Sequence, residues 1–305
     1  MSATDGSKIF LWCVPRVISS AFAKCLSAIP EMEIYFEPFL YCNLAGRVYK
    51  KSHGEDLPLV YKGNEEVLGK AAELLGGIAR SKMESSRLAY STMKETLEST
   101  QSKYVFVKDM ASGVASDDTR KYLPSGFKYT FLIRDPIRSI SSYRKAMFAQ
   151  FTELGLLKDE SANEQTYDVE RDDILFPSGC YVEELYDLWK YVKENIDSDP
   201  IVIDADDLLT KPAEYLKAYC DKVGLPYTES LLKWEASTES LKSWKAAGDN
   251  LVLDVVNFYG SAMRSSEFFP PSRKPDPNKL TRDVRRCADK VMKFYNEMAE
   301  SKLKL

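Results

Sequence analysis

The sequence predicts an α/β fold with a central parallel β-sheet flanked by helices, and two observations lead to that prediction. Short apolar runs of strand length alternate along the chain with longer segments of helical periodicity, which is typical of sheets joined by crossover helices. The first run, 9–14, is continuously apolar, as expected for a strand buried on both faces. We expect the 305 residues to form one domain spanning 1–305, because α/β domains often reach ~250 residues.

The first half of the chain supplies four of the five predicted strands. Residues 9–14 form an apolar run between Lys8 and Pro15, and apolar residues at helical spacing follow up to Pro30. The other elements predicted here are strands at 33–37, 104–107 and 127–133, helical segments within 63–100, and a helix over 137–150. This half is therefore interpreted as strand–helix units joined by short loops.

The second half supplies the fifth strand and the last helices. Residues 152–178 are polar, acidic and weakly periodic, and we interpret them as a surface loop that acts as a mobile lid. A helical pattern at 181–192 precedes a short apolar strand at 201–203 and a helix over 212–223. We interpret 270–305 as a C-terminal extension that contains a proline-rich connection and an amphipathic helix.

Composition and charge exclude several functional classes. The net charge of −4 and the pI of 5.4 argue against a general binder of nucleic acid or of acidic membranes. The single histidine, His53, excludes multi-histidine metal sites. The six cysteines lack CxxC spacing and the N-terminus lacks a signal-peptide pattern, so we expect buried free thiols and a cytoplasmic location. No apolar run near the N-terminus approaches the ~20 residues of a membrane span.

Charged residues follow or end four of the predicted strands. They are Arg16, Glu37, Lys108 and Arg134. The carboxyl ends of parallel strands meet at one edge of the sheet, where α/β proteins bind their ligands. We therefore expect these four side chains to share one site.

Two segments at that edge have the composition of anion-binding loops. The loop 15–20 offers backbone N–H groups before a helix, the charge of Arg16, and the hydroxyls of Ser19 and Ser20. In the second segment, Arg134 ends a strand and Ser142 lies two turns into the following helix, so both can hold one phosphate. The GK[ST] signature of nucleotide triphosphatases is absent from both segments.

The order and spacing of these segments resemble the P-loop sulfotransferase family, which uses 3′-phosphoadenosine 5′-phosphosulfate (PAPS) as sulfuryl donor. The resemblance covers residues 8–235 and is nearest to a divergent branch with PRxxS(S/T)A and EPF motifs. It implies that Arg134 and Ser142 bind the 3′-phosphate of the donor. It also implies that the 5′-phosphosulfate is bound by Arg16, Val17, Ile18, Ser19, Ser20 and Ala21.

Three departures from the family pattern affect the expected donor site. Arg16 and Ile18 stand where the family usually has Lys and Gly. The arginine keeps the charge, whereas the isoleucine is expected to limit the approach of the backbone to a phosphate. The Arg-Lys-Gly segment that completes the 3′-phosphate site in many members is absent near the C-terminus, and Arg264 and Arg273 are the candidates to replace it.

The resemblance also implies the catalytic groups of an in-line sulfuryl transfer that requires no metal. Lys108 matches a strand-end lysine that, with the loop arginine, steadies the transferring group. The histidine base of common cytosolic members would stand at Met110, so we expect a carboxylate base. Glu37, in the sequence YFEPF, resembles the strand-end glutamate of other branches and is the first candidate, with Asp109 and His53 as alternatives.

The expected activity is transfer of a sulfuryl group from PAPS to a hydroxyl or amine of a small-molecule acceptor, leaving adenosine 3′,5′-bisphosphate. Acceptor pockets are built from loops, so the sequence does not identify the acceptor. The alternatives are a non-catalytic nucleotide-binding protein of the same fold and, less favoured because GK[ST] is absent, an ATP-dependent kinase. No nucleic-acid or membrane partner is expected, and the oligomeric state is left open.

Overall fold

The chain folds around a sheet of parallel strands, seen in a computed structural model that describes residues 6–173, 180–248, 251, 259–260, 262 and 264–305. The strands are β1 (Ser7–Cys13), β2 (Met32–Phe36), β3 (Tyr104–Met110), β4 (Lys128–Ile133) and β5 (Ile201–Asp204). All neighbours pair in parallel, in the order β2-β3-β1-β4-β5. The predicted α/β class is confirmed, and every predicted strand overlaps an observed one.

Helices connect the strands and cover both faces of the sheet. All residues of β3 are buried, so neither of its faces is open to solvent. The helices are α1 (Ser19–Leu26), α2 (Pro38–His53), α3 (Glu65–Ala79), α4 (Tyr90–Ser99), α5 (Asp117–Arg120), α6 (Pro136–Glu153), α7 (Val169–Asp172), α8 (Val182–Asn195), α9 (Ala205–Thr210), α10 (Pro212–Val223) and α11 (Arg282–Glu300). All six cysteines are buried free thiols, as predicted.

The strand order places a crevice at the carboxyl end of β1. The chain runs from β1 to β2 and β3 on one side of the sheet and then crosses to β4 and β5 on the other. Ligands of open α/β sheets bind where the order reverses in this way. The register pairs Cys13 with Met110 on β3 and with Leu132 on β4, so the loops that follow these three strands open on the same edge.

The segment predicted to be a loop at 152–178 is partly helical. Helix α6 continues to Glu153, α7 lies within the segment, and residues 174–178 lie outside the described residues. The buried Arg144 of α6 anchors the segment, because its Nε donates to Asp283 at 2.8 Å and its Nη2 donates to the Glu164 carbonyl at 2.7 Å. The described part of the segment is therefore held against α6 and α11.

Among the described residues, the structure contains no helix with both the length and the apolar character that a membrane span requires.

Candidate functional site

A cleft of about 130 Å³ opens at the crevice beside the carboxyl end of β1. Most residues that the sequence analysis assigned to the site line this cleft. They are Arg16, Ile18, Ser19, Ser20, Ala21, Lys108, Arg134 and Ser142. Val17 does not, since its side chain is buried in the core, and Glu37 is fully buried next to the cleft rather than on its wall.

The loop after β1 has the backbone of an anion-binding loop. Arg16 and Ile18 have left-handed φ values of 67° and 62°, whereas Val17 between them does not. Alternation of this kind turns successive N–H groups toward one side and creates a concavity for an anion. A left-handed conformation costs a non-glycine residue roughly 1–2 kcal/mol, and such backbone strain clusters at functional sites.

Ile18 adopts a left-handed backbone conformation that glycine allows more readily than isoleucine, and it is the residue before α1. Its expected effect on the approach of the backbone to a phosphate stays a prediction. Helix α1 then begins at Ser19 without a side-chain cap. The first N–H groups of a helix have no partner within the helix, and the helix dipole favours negative charge there. Ser20 and Ala21, in this first turn, line the cleft.

The two arginines of the cleft are linked to each other and to Ser142. Arg16 Nε donates to Ser142 Oγ at 3.0 Å, and Arg134 Nη1 donates to the Arg16 carbonyl at 3.1 Å. Arg134 and Arg138 both form ion pairs with Asp206, at 3.2 and 2.9 Å. Burial lowers the pKa of Arg16, and the nearby Arg134 guanidinium lowers it further. An anion between the two guanidinium groups would relieve this repulsion.

A buried ion pair joins Lys108, which lines the cleft, to Glu37, which lies behind it. The register pairs Phe36 with Lys108, so Glu37 leaves β2 beside the lysine, with a left-handed φ of 55°. The side chains are 1% and 0% exposed, and the ammonium binds Glu37 Oε1. The Tyr259 hydroxyl donates to Glu37 Oε2 at 2.6 Å. Burial alone would lower the pKa of Lys108, but the Glu37 carboxylate more than offsets this and leaves the pKa raised.

Asp109 has a structural task at the start of α2. Its Oδ2 accepts the Phe39 N–H at 2.7 Å, and its Oδ1 accepts the N–H groups of Leu40 at 3.2 Å and Met110 at 2.8 Å. The side chain is completely buried and does not line the cleft. Its carboxylate holds the first turn of α2 in place, which fixes the backbone next to Glu37.

The remaining candidates from the sequence lie away from the cleft. His53 is in the last turn of α2, exposed and stacked on Tyr49 at 4.3 Å between ring centroids. Glu37 precedes the first turn of the same helix, about 24 Å from His53 at 1.5 Å per residue. Arg264 and Arg273 do not line the cleft either. The described residues contain no group of three or more His, Cys, Asp and Glu placed to hold a metal ion.

Two residues of the site were not identified from the sequence. Tyr259 lines the cleft and binds Glu37, which is 222 positions away in the sequence. Asp206 orients Arg134 from the start of α9. The sequence carries no local pattern that couples Tyr259 to Glu37 or Asp206 to Arg134.

No family model matches the chain. Two curated Arabidopsis thaliana proteins match 233 residues, or 75% of this chain: branched-chain-amino-acid aminotransferase-like protein 2 at 28% identity and protein 1 at 27%. The match covers 32% of each relative. The chain thus spans about a third of the length of the curated relatives it matches.

Three solved structures align over most of the chain. A sulfotransferase domain from the curacin biosynthetic pathway covers 94% of this chain and 98% of its own, with a TM-score of 0.43 and 14% identity. A sulfotransferase domain from the Synechococcus PCC 7002 olefin synthase covers 100% of this chain and 98% of its own, with a TM-score of 0.42 and 17% identity. A sulfotransferase from Alicyclobacillus acidocaldarius covers 85% of this chain and 96% of its own, with a TM-score of 0.40 and 11% identity.

Proposed function

We propose that this chain is a PAPS-dependent sulfotransferase whose donor binds in the cleft beside β1. The observation that carries the proposal is the convergence of Arg16, Lys108 and Arg134 on a loop with two strained, left-handed residues. Two carboxylates, Glu37 and Asp206, pair with Lys108 and Arg134, and the cleft keeps an excess of cations in a chain whose net charge is −4, which indicates an anionic ligand. The two curated relatives are named as aminotransferase-like proteins, and this chain matches about a third of their length. The proposal is therefore supported by the cleft and not by their name.

The size and the donor groups of the cleft fit the anionic parts of such a nucleotide. Its volume of about 130 Å³ is below the ~300–1,000 Å³ of typical ligand pockets, so the adenosine extends beyond it. Arg16 and Ser142 now bind each other. A donor that separates them replaces the neutral hydroxyl acceptor of Arg16 with a charged phosphate, which a guanidinium group can bind through two parallel hydrogen bonds.

Each residue has a defined part in this proposal. The loop 16–21 and the start of α1 bind the 5′-phosphosulfate, while Arg134 and Ser142 bind the 3′-phosphate. Asp206 holds the Arg134 guanidinium in one orientation through the 3.2 Å ion pair, so little side-chain entropy is lost when a phosphate binds.

The reaction follows from the groups next to that donor position. PAPS supplies a sulfuryl group that leaves on displacement by a hydroxyl or amine of a small-molecule acceptor. Arg16 and Lys108 stabilise the negative charge that develops, because preorganised cations act strongly in a partly buried site. Glu37 is the general base that finally takes the acceptor's proton.

Ligand binding tests the donor site directly. Adenosine 3′,5′-bisphosphate at 100 times its Kd should stabilise the fold by about 2.7 kcal/mol, measured as a rise in melting temperature. At the same ligand concentration, Arg134→Ala should reduce that rise to about half or less, whereas Arg285→Ala, an equal change of charge on an exposed residue of α11, should keep it. No rise with the wild-type chain contradicts the proposal, and a rise with ATP and Mg²⁺ alone points to a kinase.

Labelled donor tests the activity. The chain is incubated with ³⁵S-labelled PAPS and a small-molecule extract, and the labelled product is identified by chromatography and mass spectrometry. Label in an organic hydroxyl or amine supports the proposal and names the acceptor. Binding of the bisphosphate without any transfer, to water included, makes the chain a non-catalytic nucleotide-binding protein.

A further inference from the structure

Glu37 lies behind the cleft rather than in it. Its side chain is completely buried and does not line the cleft. The Lys108 ammonium binds one carboxylate oxygen, Oε1, and the other, Oε2, accepts the 2.6 Å hydrogen bond from Tyr259. A molecule bound in the cleft therefore has no direct path to the carboxylate of the proposed base.

Tyr259 stands between Glu37 and the cleft. Its side chain is one of the cleft walls, while its hydroxyl reaches inward to Glu37. A phenol has one proton to donate and two lone pairs to accept with. Tyr41 is a second hydrogen-bond partner of this hydroxyl. Because the phenol proton is directed at Glu37, the oxygen has lone pairs with which it can accept from a hydroxyl group bound at this wall of the cleft.

We propose that Tyr259 is a catalytic proton relay between the acceptor and Glu37, an inference that rests on the proposed sulfotransferase function. The acceptor hydroxyl gives its proton to Tyr259 Oη while the proton of Tyr259 passes to Glu37 Oε2. The freed lone pair of the acceptor oxygen forms the new S–O bond. The S–O bond to the donor phosphate breaks, and its electron pair leaves with adenosine 3′,5′-bisphosphate. Tyr259 ends as a phenol and Glu37 as a neutral acid.

The surroundings of the hydroxyl favour a concerted transfer. Burial raises the pKa of Tyr259 well above its usual range, and the Glu37 carboxylate raises it further. A phenolate therefore does not accumulate beside Glu37, and the two protons have to move in one step. The Lys108 ammonium, 6.0 Å from the centroid of the Tyr259 ring, balances the charge of Glu37 before the transfer.

Turnover of matched variants tests the relay. The variants are Tyr259→Phe, Glu37→Gln and the double variant, with Tyr129→Phe as a control. Tyr129 also has a buried hydroxyl, but it donates to the Pro124 carbonyl near the opposite end of β4. The probes are ³⁵S-labelled PAPS with an aliphatic alcohol such as 1-butanol, or water, as acceptor, and bisphosphate binding is measured in parallel.

The relay predicts a specific pattern. Tyr259→Phe and Glu37→Gln each bind the bisphosphate within about 3-fold of wild type yet lose at least ~100-fold in turnover, as for loss of general base catalysis. The double variant falls no further than the worse single variant, because residues that act as a unit are not additive. A plot of the wild-type rate against the deuterium fraction of the solvent is curved, because two protons are transferred in the same step. Tyr129→Phe has the same rate as wild type.

Other outcomes separate the relay from the proposed function. If Tyr259→Phe transfers the sulfuryl group at a rate within about 3-fold of wild type, the relay is overturned and the proposed sulfotransferase function is unaffected. Losses that multiply in the double variant, or a linear dependence on deuterium content in the wild type, also overturn it. Bisphosphate binding without sulfuryl transfer also overturns the relay, since Tyr259 and Glu37 then have no acceptor proton to receive. Absence of bisphosphate binding is the distinct result that refutes the proposed function.

Discussion

Replacing Lys108 by methionine should destabilise the chain strongly, because it leaves the charge of Glu37 buried without its partner. The two side chains are 1% and 0% exposed. Loss of one member of a buried ion pair costs about 3–5 kcal/mol. At ~2 °C per kcal/mol for a chain of this length, the melting temperature should fall by about 6–10 °C.

Two further variants show whether the buried charge is the cause. Glu37→Gln in the Lys108→Met background removes the charge, keeps an acceptor for Tyr259, and should recover at least half of the lost melting temperature. Lys50→Met is the matched control, because its ion pair with Asp56 is 60% and 83% exposed and such pairs contribute less than about 1 kcal/mol. Scanning calorimetry or circular dichroism measures all of these melting temperatures.

The pH dependence of Lys108→Met provides an independent check. A buried carboxyl without a cation has a raised pKa in the folded chain, so the folded variant binds a proton that the unfolded chain releases. Its stability deficit should therefore be smallest at acidic pH and grow as the pH rises above the unfolded pKa of about 4.3. A fall of less than about 2 °C at pH 7, or a double variant no more stable than the single one, would refute the reasoning.

Three other predictions concern the donor site, the anchored segment and the buried acid. Arg134→Ala should weaken binding of adenosine 3′,5′-bisphosphate about 10- to 100-fold in titration calorimetry, for lost charge-assisted bonds of about 1.5–3 kcal/mol; an unchanged Kd would contradict the donor site. Arg144→Met leaves Asp283, which is 4% exposed, without the arginine that forms its buried ion pair, and should lower the free energy of unfolding in urea by about 3–5 kcal/mol; a change below ~1 kcal/mol would contradict this. Burial raises the pKa of Asp109 to about 8, so the free energy of unfolding should fall as the pH rises from about 4 to about 8, and Asp109→Asn should flatten that slope.

The strands and most cleft residues were predictable because their signals are local. Short segments of strand length, apolar in whole or in part, predicted the strands of the sheet, and residues at the strand ends led to Arg16, Lys108 and Arg134. Parallel strands bring their carboxyl ends to one edge, so a local position in the sequence is enough to predict a shared location.

The backbone of the donor loop was not predictable in the same way. The residue type at Ile18 predicts an extended or right-handed conformation, and the left-handed φ of 62° overrides that preference. The loop is fixed at one end by β1 in the core and at the other by α1, so its path is decided by the packing of these elements. The backbone preference of isoleucine is worth roughly 1–2 kcal/mol, which is small beside the free energy gained by burying β1 and α1.

The sequence by itself determined the fold class, the strands and the edge of the sheet where cations gather, because periodicity and strand ends are properties of neighbouring residues. Only the tertiary structure decided the surroundings of each side chain. It enclosed Glu37 between Lys108 and Tyr259, used Asp109 to hold the start of α2, and left His53 exposed at the far end of that helix. Contacts between residues up to 222 positions apart depend on how whole elements pack, and no local pattern in the chain records them.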